Sequence, residues 1–413
     1  MTGQGVFCVD GLPYLTTELP GVGGVIKRYN EDFVVEEIPR YPAGGQGTHT
    51  YFFIEKQALT TPAAIDRIAR ALGVASHTIG YAGMKDAHGV TRQWLSLEHV
   101  DPHRVQSLEI GHIKVLRVER HSNKLKLGHL AGNCFAIRVR GIGRQALAPS
   151  RLILDQLASR GAPNYFGPQR FGARGDNARI GRAVLLNDYD TAVGLILGRP
   201  GTADHGDVLK ARTLFDAGDL QGCAAAWPGA FVQQKRLCRV LIKARGDARK
   251  AWRAVDHTLR KLYLSAFQSE LFNRILAQRM PAIGQLETGD LAWKHQNGAC
   301  FLVEDAAVEQ PRCDSLEISP TGPLFGRRMT EARGQPGRRE AAMLAESGLS
   351  KERLASTESA RLEGARRPLR VPIGTPAADA GDDERGPYIL LTFTLPPGAY
   401  ATSVTREICK TEE

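Results

Sequence analysis

From Asn133 to Val139 the chain alternates without a break: Asn133, Phe135, Ile137 and Val139 fall on one side, Cys134, Ala136 and Arg138 on the other. A two-residue period of this kind is that of a strand with a covered face. A helix of equal clarity stands earlier. Thr61 followed by Pro62 predicts an N-cap with proline in the first turn; Ile65, Ile68, Ala69 and Leu72 keep helical spacing, and Gly73 stops it. Any fold for this chain must therefore combine strands and helices.

Other segments extend that mixture. Gly24 to Ile38 predicts a strand pair or one bent strand, given Val25, Ile26, Phe33, Val34 and Val35. A long helix is expected near Asp256 to Met280, with Leu259, Leu262, Phe267, Leu271, Phe272, Ile275 and Leu276 on a broad apolar stripe. Ile389 to Leu395 reads as a strand. From about Pro320 to Asp383, glycine, alanine, arginine and proline dominate, which predicts loop around a polar surface helix over Arg338 to Arg361. At 413 residues the chain exceeds what one core usually organises, so two or three domains are expected.

Charge narrows the partners. The formal net charge is +10, which favours a polyanion. The cations cluster: Arg117, Arg120, His121, Lys124, Lys126 and His129; then Arg170, Arg174, Arg179 and Arg182; then Lys235, Arg236, Arg239, Lys243, Arg245, Arg249 and Lys250. One such cluster would be an ordinary solvated face. Three in one basic chain point to nucleic acid, with an acidic protein as the competing partner. No apolar run is long enough for a membrane helix, and the first residues lack the regions of a signal peptide, so a cytoplasmic protein is expected. The seven cysteines lie scattered, with no C-x-x-C and no zinc spacing, which predicts reduced thiols and no metal.

The segment densest in chemistry is Gly80 to Trp94. Gly83 and Gly89 bracket Lys85, Asp86 and His88, as in a tight turn that presents side chains to a ligand. An ordinary solvated turn is the alternative. No phosphate-cradling loop, nucleophile elbow or H-E-x-x-H motif competes with it elsewhere.

The stretch AGMKDAHGVTRQW resembles the hallmark of the tRNA pseudouridine synthase D (TruD) family. Four more segments are similar to that family in the same order: IKRYNEDFVVEE (26–37), HSNKLKLGHLAGNCFAIRVR (121–140), PNYFGPQRFG (163–172) and LPPGAYATSVTRE (395–407). Together they span nearly the whole chain. The resemblance implies an α+β fold: a catalytic domain on a mixed, largely antiparallel sheet with flanking helices, formed by residues 1–160 and 362–413, carrying an inserted α/β domain at 161–361. A basic cleft between the two would hold tRNA.

The resemblance also implies isomerisation of a tRNA uridine, at position 13 in the D arm, to pseudouridine. Asp86 matches the essential aspartate and Lys27 a basic residue paired with it. Phe33, Asn133, Phe135 and Tyr400 match substrate-binding positions, although relatives often carry phenylalanine at Tyr400. In PNYFGPQRFG, Tyr165, Phe166 and Phe171 are expected to be structural, with Arg170 and Arg174 near phosphate; His88 is expected to be a hydrogen-bonded structural residue. Neither metal nor cofactor is implied, and a monomer is preferred. Physical reasoning agrees in part: Asn133 and Phe135 offer an amide and a ring to a flipped base, though Phe135 would suit a core equally. A cation, Lys27 or else Lys85, would keep Asp86 ionised among phosphates. The rivals are a non-catalytic RNA-binding or chaperone protein on this scaffold, and a pseudouridine synthase for another RNA.

Overall fold

The structure is a computed structural model that describes residues 11–356 and 362–411. The expectations for the first residues, Cys8 among them, and for the end of the Arg338 to Arg361 helix lie outside the described residues. The chain divides into two compact units: Tyr14–Ala162 with Val371–Glu413, and Pro163–Arg370 with the chain up to Pro13.

In the first unit the strands are β1 (Phe33–Pro39), β2 (His49–Gln57), β3 (Gly80–Tyr81), β4 (Val90–Glu98), β5 (Ile113–His121), β6 (Leu130–Arg140) and the hairpin strands Gly374–Asp383 and Gly386–Leu395. They form one eight-stranded sheet, in which the hairpin is followed by β6, β1, β4, β2 and β5, and β3 pairs with β4. Only β1 and β4 run parallel; the other pairs are antiparallel. The sheet is thus mixed and largely antiparallel, as expected. Helix α1 (Thr61–Leu72) covers part of one face, with Ile65, Ile68, Ala69 and Leu72 packed on Phe52, Ile54, Leu95 and Leu97. Each large side chain so buried contributes about 1.5–3 kcal/mol.

Three local expectations change. The N-cap of α1 is Thr60, whose hydroxyl accepts from the Ala63 N–H at 3.3 Å. Thr61 is inside the helix, and its hydroxyl is engaged elsewhere. Of the two readings of the 24–38 stretch, the single strand holds, but it begins only at Phe33, after a 3-10 turn at Asn30–Asp32. Asp32 causes the turn: its carboxylate accepts from the Tyr29 N–H at 3.2 Å and from Arg140. Val25 makes only an isolated bridge to Arg140.

Among its described residues, the 320–383 stretch is mostly strand and helix rather than loop. It contains most of the strand Ile318–Leu324, the helices Gly334–Glu346 and Lys351–Ser356, and the strands Ala365–Pro368 and Gly374–Asp383. Two prolines enter Ile318–Leu324 because other groups anchor it: the Thr321 hydroxyl donates to Leu291 O at 2.7 Å and Arg366 donates to Thr321. The composition of Gly374–Asp383 is poor for a strand. Its partner is not, since Ile389, Leu391 and Phe393 are buried, and pairing imposes the conformation.

The second unit is mostly helical. Its longest helix, His257–Arg279, is capped by Asp256, which accepts from the Thr258 and Leu259 N–H groups. Phe267, Leu271, Phe272, Ile275 and Leu276 form its buried face. Helix Asn177–Leu185 crosses it closely at Gly181, where a Cβ would lie 2.1 Å from Tyr263 O. Ala365–Pro368, Ile318–Leu324, Leu291–Lys294 and Cys300–Leu302 make an antiparallel four-stranded sheet. No helix among the described residues is long and apolar enough to cross a membrane.

Candidate active site

The loop from Ala82 to Gly89 joins β3 to β4, at the end of β4 that pairs with the start of β1. Gly89 is required there: its φ is +146°, and a Cβ would lie 2.5 Å from Phe33 O. Gly83 has no such need, because a Cβ at that position meets only ordinary contacts. The loop is held from below by a buried lysine. Lys56, 1% exposed, donates to Asp86 O at 2.9 Å and to Leu59 O. The backbone of Asp86 is therefore fixed while its carboxylate, 47% exposed, remains accessible.

Lys27 lies 3.2 Å from Asp86 Oδ2. Its ammonium also sits 4.1 Å from the centroid of the Phe33 ring, a cation–π contact. To reach both, Lys27 adopts a left-handed backbone with φ 57°. For a residue with a Cβ this costs on the order of 1–2 kcal/mol. The strain is located at a residue that faces the carboxylate.

A second group stands beside the first. Glu37 on β1 and Asn133 on β6 are directly opposed in the antiparallel register. Lys85 reaches both: its Nζ is 2.7 Å from Asn133 Oδ1 and 3.0 Å from Glu37 Oε2. The side chains of Lys85 and Glu37 are 5% and 1% exposed. Burial pushes the Glu37 carboxyl up, and the charge of Lys85 pulls it back. The backbone N–H of Lys85 donates to the Thr61 hydroxyl at 2.9 Å, and that hydroxyl donates to Gln93 Oε1 at 2.8 Å. This explains why Thr61 does not cap its helix.

The aromatic residues have different surroundings. Phe33 and Phe135 are 5% and 6% exposed and meet edge to face at 6.3 Å, while Phe135 stacks on Phe393 at 5.4 Å. Phe33 thus lies under the Lys27 ammonium, and Phe135 packs behind it. Tyr400, 39% exposed, stands at the N-cap of the last helix, Ala401–Cys409. It follows a short step after Leu395, which pairs with Asn133. His88 is exposed rather than packed.

Sequence reasoning missed Lys56 and Glu37 as site residues, yet both carried a signal. Lys56 falls in phase with Phe52 and Ile54 on β2, and Glu37 with Phe33 and Val35 on β1, each a charge on a buried face.

The basic clusters divide by environment. Arg174 is taken up by Asp176, Asp204 and the Arg199 carbonyl, and Arg182 by Ser347 O, so the second cluster holds its own unit together. Arg117 stacks over Trp94 and pairs with Glu119. In the third, Arg236, Arg239 and Lys243 on helix Val232–Lys243 are exposed, as are Arg245, Arg249 and Lys250 beyond it.

The buried position of Lys56 makes a pH-dependent prediction. Burial lowers its ammonium from the ordinary 10.5 to about 8, and Asp86 opposes that shift. Between about 8 and 10.5 the unfolded chain binds the extra proton, so this group adds stability as pH rises through that window and loses it as pH falls back to 8. The contribution is at most about 3 kcal/mol. Urea unfolding of the wild type and Lys56→Met at pH 7.5 and 10.5 measures it. The wild type is expected to gain on the variant at the higher pH; parallel curves would show that Lys56 is not desolvated.

A model of the tRNA pseudouridine synthase D (TruD) family matches residues 10–408. The tRNA pseudouridine synthase D of Geobacter metallireducens is 48% identical over 397 residues, 96% of this chain and 97% of that protein. That of Geotalea daltonii is 47% identical over 398 residues, 96% and 99% of the two chains. Among solved structures, a Methanosarcina mazei protein described as a tRNA pseudouridine synthase D superposes with a TM-score of 0.83 at 27% identity, over 97% of this chain and 96% of that one. A family model matched over residues 10–408, and identity near one half over 96% of the chain, place the chain in the tRNA pseudouridine synthase D (TruD) family.

Proposed function

We propose that this protein is a tRNA pseudouridine synthase that isomerises the uridine at position 13, in the D arm, with Asp86 as the essential carboxylate. The observation that carries this is an accessible carboxylate on a clamped backbone, 3.2 Å from one cation and beside an amide suited to a base edge. The reaction breaks the bond from ribose C1′ to uracil N1 and makes one to C5. The proton lost from C5 is balanced by one gained at N1, so no oxidant or reductant is consumed. Asp86 assists cleavage of the glycosidic bond, and Lys27 favours its charged form near phosphates. Asn133 contacts the edge of the flipped base, Tyr400 offers its ring to stack on it, and Phe33 and Phe135 support the pocket from beneath.

The unit of Tyr14–Ala162 with Val371–Glu413 is then the catalytic domain, and Pro163–Arg370 the inserted one. Exposed cations such as Arg236, Arg239 and Lys243 supply phosphate contacts. The enzyme would act as a monomer in the cytoplasm, where its substrate is. Incubating the purified protein with unmodified tRNA transcripts and mapping pseudouridine chemically tests the proposal. One pseudouridine at position 13 is expected. Transcripts left unmodified would overturn the function, and modification at another nucleotide would overturn the position alone.

A further inference from the structure

We infer that Lys85, anchored by Glu37, sets the base preference of the site by holding the Asn133 amide so that only its N–H groups face an incoming base. The inference rests on the reading of Asn133 as the base contact. An amide can turn over and exchange its oxygen for its nitrogen, and with it an acceptor for donors. Lysine settles the choice, because an ammonium has three donors and no acceptor. At 2.7 Å from Lys85 Nζ, the amide atom must be the oxygen. Among the described residues the Asn133 nitrogen has no hydrogen-bond partner, and the side chain is only half-buried, so its two N–H groups are available.

The lysine is itself fixed at both ends. Its backbone N–H is held by Thr61, and its ammonium by the buried Glu37 carboxylate, whose other oxygen accepts from the Trp94 N–H at 3.4 Å. Glu37 lies opposite Asn133 across the strand pair, so the three groups occupy one patch of the sheet. A donor at this point is complementary to the 4-oxo group of uracil. Cytosine carries an amino group at the same ring position, and two donors would face each other without an acceptor. Leaving a buried donor unsatisfied costs about 1–3 kcal/mol, a factor of about 5 to 150 in affinity. Lys85 and Glu37 are positioning residues here, since neither needs to touch the base.

Two transcripts of a tRNA substrate, differing only by uridine or cytidine at the mapped target nucleotide, provide the test. Every protein carries Asp86→Asn to prevent turnover, and the ratio of the two dissociation constants is the readout. With Lys85 and Asn133 in place, the uridine transcript should bind at least about 5-fold more tightly. Lys85→Met should bring the ratio close to one, because the amide can then turn over. Lys85→Gln should bring it to one or below: Glu37 would take the new amide nitrogen, leaving its oxygen to accept from Asn133 and turning the Asn133 oxygen towards the base. Affinity for the cytidine transcript, dominated by phosphate contacts, shows that each variant is folded. Asn133→Ala separates the two levels. If it abolishes the preference while both Lys85 variants retain it, the inference is wrong and the base-contact reading stands. If Asn133→Ala retains the preference, the base-contact reading fails first.

Discussion

Replacing Asp86 with asparagine is expected to abolish pseudouridine formation while leaving fold and RNA affinity close to those of the parent. The substitution keeps the size of the side chain and an oxygen that Lys27 can donate to, and removes only charge and basicity. Its structural cost is small. The Lys27–Asp86 pair is partly exposed, 20% and 47%, and such pairs contribute about 0–1 kcal/mol. The grip on the loop lies in the bond from Lys56 to the Asp86 carbonyl, which the side chain does not make. Affinity for RNA should hold or rise slightly, because a negative charge near phosphates is removed. Turnover should fall on the order of 10⁴-fold or more, as when a group that acts on the reacting bond is lost. Single-turnover assays, melting curves and tRNA binding on the same preparation decide the matter. A rate near wild type would remove Asp86 from the chemistry, and a variant that does not fold would make it a structural residue.

The division between what the sequence disclosed and what it withheld follows from the range of the forces. Alternation along β6 placed Asn133 and Phe135 on one face, and the structure keeps them there. Alternation cannot say how deep each residue lies. Phe135 is sealed between Phe33 and Phe393, one from β1 and one from a strand near the end of the chain, and neither neighbour is local in sequence. The glycine-bracketed loop was legible as a presenting turn, yet only Gly89 has a steric reason to be glycine. Thr61 was legible as a cap by type, and lost that role because Lys85 and Gln93 compete for its hydroxyl. Gly374–Asp383 was not legible at all, since its conformation comes from its partner strand. Lys56 and Glu37 are the instructive pair: the phase that buries Phe52 and Val35 buries them too, and a charge on a buried face is itself a sign of function.

Arg140→Met is expected to destabilise the catalytic unit strongly and to weaken the site through Lys27. Arg140 is 2% exposed at the end of β6, and its guanidinium serves two carboxylates. Nε donates to both oxygens of Asp32, at 2.8 and 2.9 Å, and the terminal nitrogens donate to Asp383 at 2.9 and 2.7 Å. Those bonds hold the Asp383 carboxyl down at about 2, so its share of stability is present above the ordinary 3.8 and is lost as pH falls through about 2. Asp32 is fully buried, and removing the arginine takes away its ion-pair partner, a loss of about 3–5 kcal/mol. Much of this is the cost of the stranded charge rather than the value of the pair. Adding Asp32→Asn to Arg140→Met should therefore restore part of the stability, and strictly additive losses in urea unfolding would refute this account. The same residue holds the segment that carries Lys27. The Arg140 backbone exchanges two 2.9 Å bonds with Val25, and its guanidinium lies 5.6 Å from the Tyr29 ring while holding Asp32. Lys27 sits between those anchors in a strained conformation that it would leave if one gave way. At a temperature where Arg140→Met is still folded, its single-turnover rate should fall as well. An unchanged rate in the folded variant would show that Lys27 is held by Asp86 and Phe33 alone.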